Sequence, residues 1–273
     1  MLYSAYKLAA IFCTVPIAAF VAPAVAQNTD NQQKKRGWSA ADEYWDPAAM
    51  AEARRAVQKE HGAAKMFFLQ GERLEYRSND GSPIFLWDGQ GWYGGDKNKI
   101  WVKTEGEYSF DEAVFEDAEM QALWSRAITR YFDVQAGVRQ DFAPGDDRTF
   151  GVIGLQGLAP YWFEVDIAAF VSDDGDVSAR VELEYELLLT QRLILQPRTE
   201  LNFAVQSVAE SGIGSGLSTA EIGARLRYEI KREFAPYIGV EWERSVGETA
   251  DLARADGEDP SSVSFIAGLR LWF

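Results

Sequence analysis

The sequence predicts an all-β protein, a transmembrane antiparallel β-barrel carrying a short amino-terminal helix. Three observations predict it. From residue 66 onward, apolar residues alternate with polar or charged ones, the period of strands with one face in an apolar medium. The interleaved face is charged, with Glu and Arg on successive strands. The connections alternate between short and long, the plan of a barrel with short periplasmic turns and longer outer loops. A soluble antiparallel sandwich also alternates. Its strands usually have about five or six residues, whereas these segments run to about 10 to 15.

Composition sets bounds on this reading. The 273 residues allow one or two domains. Apolar residues make up 47% and charged residues 25%, as in a soluble protein, but also as in a barrel whose alternate residues face lipid. The formal net charge of −15 argues against nucleic acid as a partner.

Residues 1–26 read as a secretory signal peptide. Lys7 supplies the n-region charge, Leu8 to Val21 the apolar core, and Ala24-Val25-Ala26 the cleavage site before Gln27. The alternative is an amino-terminal anchor, against which the run is short and wrongly flanked. The only cysteine, Cys13, lies in this segment, so the mature chain has no disulfide. Residues 27–65 form a periplasmic segment, polar at first. Asp46 is a good N-cap and Pro47 suits the first helical position. The helix runs to about His61, with Gly62 as its C′ residue. Met50, Ala53, Val57 and His61 share one stripe of it.

Residues 66–273 form the barrel. Counting back from Phe273 gives ten strands, near 262–273, 235–244, 218–230, 192–206, 177–187, 162–172, 149–158, 131–141, 115–126 and 98–108. Two further segments, 66–77 and 83–88, form a first hairpin and make twelve. Twelve is favoured and ten is the alternative; both leave the two ends in the periplasm. In the last strand Val263, Phe265, Ala267, Leu269, Leu271 and Phe273 give an unbroken apolar face. Tyr131, Phe132, Tyr161, Trp162, Phe163, Phe234, Tyr237, Trp272 and Phe273 cluster at strand ends as an interfacial girdle would. Closure satisfies every strand edge inside lipid.

Several strings are more specific than periodicity. They include YWDPAAMAEAR at 44–54, WDGQGWYGGDKNKIWVKTEGE at 87–107, FDVQAGVRQDF at 132–142, LTQRLILQPRTELN at 189–202 and LRYEIKREFAPYIGVEW at 226–242. Together they resemble the copper-resistance protein B family of Gram-negative bacteria, over about residues 44–273. The resemblance implies an outer-membrane barrel acting in copper tolerance, with copper ion, outer-membrane lipid and periplasmic copper-handling proteins as its partners. Family members often carry a Met- and His-rich tract before the barrel, taken to bind copper. Residues 27–43 of this chain contain neither residue type.

Thioether and imidazole suit Cu(I) and Cu(II) respectively. His61 and Met66 are five residues apart across Gly62, near enough to share an ion. The alternative reading makes His61 a helix C-terminal residue favoured by the dipole and Met66 a packing residue. Met50 is the third candidate, with a packing role on its helix as the favoured alternative. Eleven residues of helix put it roughly 16 Å from His61, so the two cannot hold one ion while the helix persists. Met120 falls on an apolar strand face and reads as lipid contact.

The interior acids Glu164, Asp166, Glu182, Glu184, Glu200, Glu221, Glu229, Glu241 and Glu243 admit two readings. One is a cation path. The favoured one is an ion-pair network with Arg139, Arg180, Arg198, Arg225 and Arg227 that plugs the lumen. An enzyme is not expected: no G-x-S-x-G occurs, and no Gly-rich phosphate cradle or zinc spacing is present.

Overall fold

The computed structural model describes residues 40–61, 64–78, 82–143 and 147–273. The expected signal peptide, the polar stretch at 27–39 and Gly62 lie outside them. The chain divides into two compact units, one ending at Val57 and one from Gln58 to Phe273.

A 3-10 turn at Ala40–Glu43 precedes helix α1, Pro47–His61. The Asp46 carboxylate accepts the N–H groups of Ala48 and Ala49 at 3.3 Å each, taking up two donors that the first helical turn leaves over. Arg54 donates to the Asp42 carboxylate, tying the helix to the 3-10 turn.

The second unit is the barrel. Its strands are β1 (Met66–Arg77), β2 (Ile84–Gly94), β3 (Asn98–Ser109), β4 (Val114–Ala127), β5 (Phe132–Ala143), β6 (Arg148–Ala159), β7 (Phe163–Ser172), β8 (Val177–Tyr185), β9 (Leu187–Leu188), β10 (Leu193–Ala204), β11 (Gly216–Tyr228), β12 (Phe234–Ser245) and β13 (Ser261–Trp272). β8 and β9 are one stave broken at Glu186, since both pair with β10, so the barrel has twelve staves. Every pairing is antiparallel, and β13 returns to pair with β1. At that seam Leu69 and Phe273 exchange both backbone hydrogen bonds, 3.1 and 2.8 Å long. No open edge is left for lipid to face.

The burial pattern is the reverse of a soluble protein's. Phe265 is 71% exposed, Ile238 65% and Ile100 63%, while Glu75 is 0% and Arg225 2% exposed. Charged side chains are almost never fully buried unless paired, and a continuous exposed apolar belt needs an apolar medium. No helix among the described residues is long and apolar enough to cross a membrane; the strands do the crossing.

Four features depart from the expectation. β2 extends to Gly94 instead of ending at 88, because its glycine-rich half stays in register with β1 as far as Met66↔Gly94. β1 shifts register between Gly71 and Arg73, and this bulge turns both Glu72 and Arg73 toward the lumen. Tyr237 belongs not to the girdle but to the interior, with its hydroxyl donating to Glu75 at 3.0 Å. Gly268 lies opposite it, and a Cβ there would come within 2.6 Å of the Tyr237 ring.

The fourth departure is helix α2, Gly247–Asp256, inside what reads as the long loop 245–261. It ends on Gly257 at φ 89, a left-handed C′ residue. The helix is anchored to the loop after β10. Gly214 N–H donates to Thr249 Oγ1 at 2.9 Å. The Ser215 N–H and hydroxyl both donate to Glu248 Oε2 at 3.0 Å, which holds that carboxyl below its ordinary range.

Candidate functional site

Alternation aims every second side chain of each strand inward, and the strands supply opposite charges at the same height. Glu75 of β1 is the centre of one cluster. Arg225 of β11 grips it through two nitrogens at 2.6 and 3.2 Å, and Arg77 donates to it at 2.9 Å. Glu241 of β12 closes the circuit, 2.9 Å from Arg225 and 2.7 Å from Arg77. Forked guanidinium contacts of this kind are strong and geometrically specific.

A second cluster surrounds Arg180 of β8. Its guanidinium contacts Glu105 and Glu119 at 3.0 Å each and Glu200 at 3.4 Å. Arg139 joins Glu119 at 2.8 Å. Arg198 pairs with Glu200, with Glu182 at 3.0 Å and with Glu221 at 3.5 Å. Arg73 pairs with Glu105 and, at 2.9 Å, with Asp88. Beside these charges a small apolar cluster of Leu123, Phe150, Val152 and Phe170 fills part of the interior. The Arg139 guanidinium lies 4.9 Å from the Phe170 ring centre, a cation–π contact.

Between the β2–β8 wall and these clusters lies a cavity of about 400 Å³. Its lining includes Asp88, Lys103, Glu164, Asp166, Glu182 and Glu184. On β7 and β8, Glu164 stands opposite Glu184 and Asp166 opposite Glu182. Lys103 reaches across from β3 to Asp166. Among the described residues neither Glu164 nor Glu184 is within 4.0 Å of a basic group, the Arg270 charge acting on both from farther away, and Glu184 Oε1 meets no donor.

The arginines expected to neutralise the interior do so, and three of their partners, Glu75, Glu105 and Glu119, come from β1, β3 and β4, outside the expected set of acids. Arg73, Glu75 and Arg77 lie beyond the register shift in β1, which breaks the period of two there. Among the described residues no three His, Cys, Asp or Glu side chains converge on a point fit for a metal ion.

The expected copper ligands lie elsewhere. His61 is the last residue of α1, with its side chain outside the described set. Met66 opens β1 and is 56% exposed. Met50 is half-buried on α1 in the other compact unit. Met120 faces outward from the barrel, 47% exposed.

Fold and interior together define a transmembrane β-barrel of the outer-membrane kind, with a charged, largely ion-paired lumen. The NanC porin structure is similar in fold: TM-score 0.50 at 16% identity, covering 76% of this chain and 99% of that one. Sequence comparison identifies the lineage. Residues 65–273 match the family model for copper resistance protein B precursor (CopB). The chain is 47% identical over 213 residues to copper resistance protein B of Escherichia coli, covering 78% of this chain and 71% of that one. A copper resistance protein B homolog of Pseudomonas syringae pv. tomato (strain ATCC BAA-871 / DC3000) is 47% identical over 229 residues, covering 84% and 76%. The chain belongs to the copper resistance protein B family.

Proposed function

We propose that this barrel serves copper tolerance in the outer membrane, holding copper at low stoichiometry or assisting its passage, without catalysis. One observation carries the reading: 47% identity across most of the chain to copper resistance protein B of Escherichia coli. The inside-out barrel supports the membrane placement, and the signal-peptide pattern at 1–26 supports export and cleavage there. Periplasmic copper-handling proteins are the partners this role calls for.

The ligand set offered for copper is His61 with Met66, and Met50 as a separate contact. Its support is chemical. Imidazole and thioether are copper ligands, and His61 is the only histidine of the chain. Met66 is accessible at the start of β1, at the end of the barrel that carries the short turns. The ion would therefore sit at the periplasmic mouth, outside the ion-paired lumen.

The alternative is a structural or porin-like barrel with no metal role. What favours it is the lumen itself, whose carboxylates are largely taken by arginines and lysines. Growth of a deletion strain on rising copper separates the two. The copper reading expects lost tolerance, restored by the wild-type gene. Unchanged tolerance with equal cellular copper supports the porin-like reading.

A further inference from the structure

We propose that the turn-end rim between β9–β10 and β11–β12 binds one anionic glycerophospholipid of the periplasmic leaflet through its phosphate. Pairing of β10 with β11 brings two turns side by side, and Glu229 N–H donates to the Arg192 carbonyl at 2.8 Å. Three cationic side chains meet there, Arg192, Lys231 and Arg232, all exposed. Among the described residues none of the three makes an ion pair. Glu229, the carboxylate lining the same cavity, leans 3.9 Å toward Arg227 of the interior, and among the described residues the exposed Glu233 that follows Arg232 pairs with none of the three.

These groups surround a surface cavity of about 510 Å³ that is also lined by Leu188 and Ile230. Leu188 is 62% exposed and Ile230 52%. Cations above and bare aliphatic side chains below match a phosphodiester headgroup continuing into acyl chains. Guanidinium and ammonium donors satisfy phosphate oxygens, and the chains cover the leucine and isoleucine. The height is also right. Exposed Tyr161, Trp162 and Phe234 mark this end of the barrel as the membrane interface, where lipid phosphates lie.

The cradle is built rather than incidental. Thr190 Oγ1 accepts the N–H groups of Arg192 at 3.2 Å and Leu193 at 2.9 Å, fixing the first turn. Trp272 Nε1 donates to the Arg232 carbonyl at 2.6 Å, fixing the second. The opposite end of the barrel has the opposite sign. Asp173, Asp174 and Asp176 crowd one outer connection, and α2 with its flank carries Asp251, Asp256, Glu258 and Asp259. An anionic lipid is drawn to one rim and repelled from the other.

Native mass spectrometry of the purified protein in micelles tests this. Phosphatidylglycerol, diacylglycerol and inorganic phosphate are added separately. The wild type should retain a single phosphatidylglycerol, and neither other additive should be retained. The Arg192→Gln/Lys231→Gln/Arg232→Gln variant should lose about tenfold of that retention. A Lys97→Gln/Arg130→Gln variant, which alters basic residues of other turns, should retain it in full. Heat-modifiable gel migration shows whether each variant is folded. Equal retention by the triple variant, equal loss in the Lys97/Arg130 variant, or equal retention of diacylglycerol would overturn the assignment.

Discussion

The lumen has two unlike walls. Where β1, β11 and β12 meet, Glu75, Arg77, Arg225 and Glu241 neutralise one another within a few ångströms, with Tyr237 completing the set. Where β7 meets β8, carboxylates face carboxylates: Glu164 opposite Glu184 and Asp166 opposite Glu182. Like charges directly opposite in a sheet are destabilising. Lys103 and Arg198 reach across to answer Asp166 and Glu182, but Glu164 and Glu184 are left to the cavity. The first wall holds the barrel together. The second gives up some stability and leaves two carboxylates, Glu164 and Glu184, without an ion pair at the cavity.

The largest test breaks the closed wall. Glu75→Gln leaves two buried arginines short of a counter-charge and should cost about 3–5 kcal/mol in urea-induced unfolding from micelles. A loss under about 1 kcal/mol would mean that wall is not the structural one. Gly268→Ala strikes the same wall through packing. The added methyl pushes the Tyr237 ring off Glu75, an overpacking cost of about 1–3 kcal/mol by the same assay.

The open wall should respond in the other sense. Glu164→Gln/Glu184→Gln removes the facing charges and should raise stability by about 0.2–1 kcal/mol. In planar bilayers the same variant should shift the reversal potential toward weaker cation preference; a shift toward stronger preference would contradict the comparison.

The smallest effect lies at the outer loops. Glu248 has its carboxyl lowered by the Ser215 N–H and hydroxyl. A depressed acid lends stability that is present above its unfolded value and lost as pH falls through its folded value. Amide exchange at Gly214 and Ser215 should therefore quicken only below the ordinary carboxylate range. Glu248→Gln should remove that pH dependence, and a persistent one would point to another group.

The barrel was legible in the sequence because alternation combined with segments of about 10 to 15 residues and a charged inner face separates it from a soluble sandwich. The last strand and the pairing acids of β7 to β12 followed directly from it. The rest was obscured for nameable reasons. The bulge in β1 re-phases the alternation, so Arg73, Glu75 and Arg77 fall out of step with the first half of that strand. The glycines of β2 erase the contrast between its two faces. Helix α2 sits in an acidic loop, though GETADLARAD followed by Gly257 carries helix formers and a C′ glycine. Tyr237 was misassigned because an aromatic near a strand end looks like a girdle residue until its alternation partners are counted. The proposed copper ligands are the least legible part, since they rest on residue chemistry and family membership rather than on periodicity.

The central claim is that copper is held by His61 and Met66 and not by the charged lumen. Equilibrium dialysis of the protein lacking residues 1–26, against the His61→Ala/Met66→Ala and Glu164→Gln/Glu184→Gln variants, tests it most directly. The wild type and the lumen variant should each bind about one copper, and the His61/Met66 variant should bind none. Unchanged binding in the His61/Met66 variant, or loss in the lumen variant alone, would contradict the account.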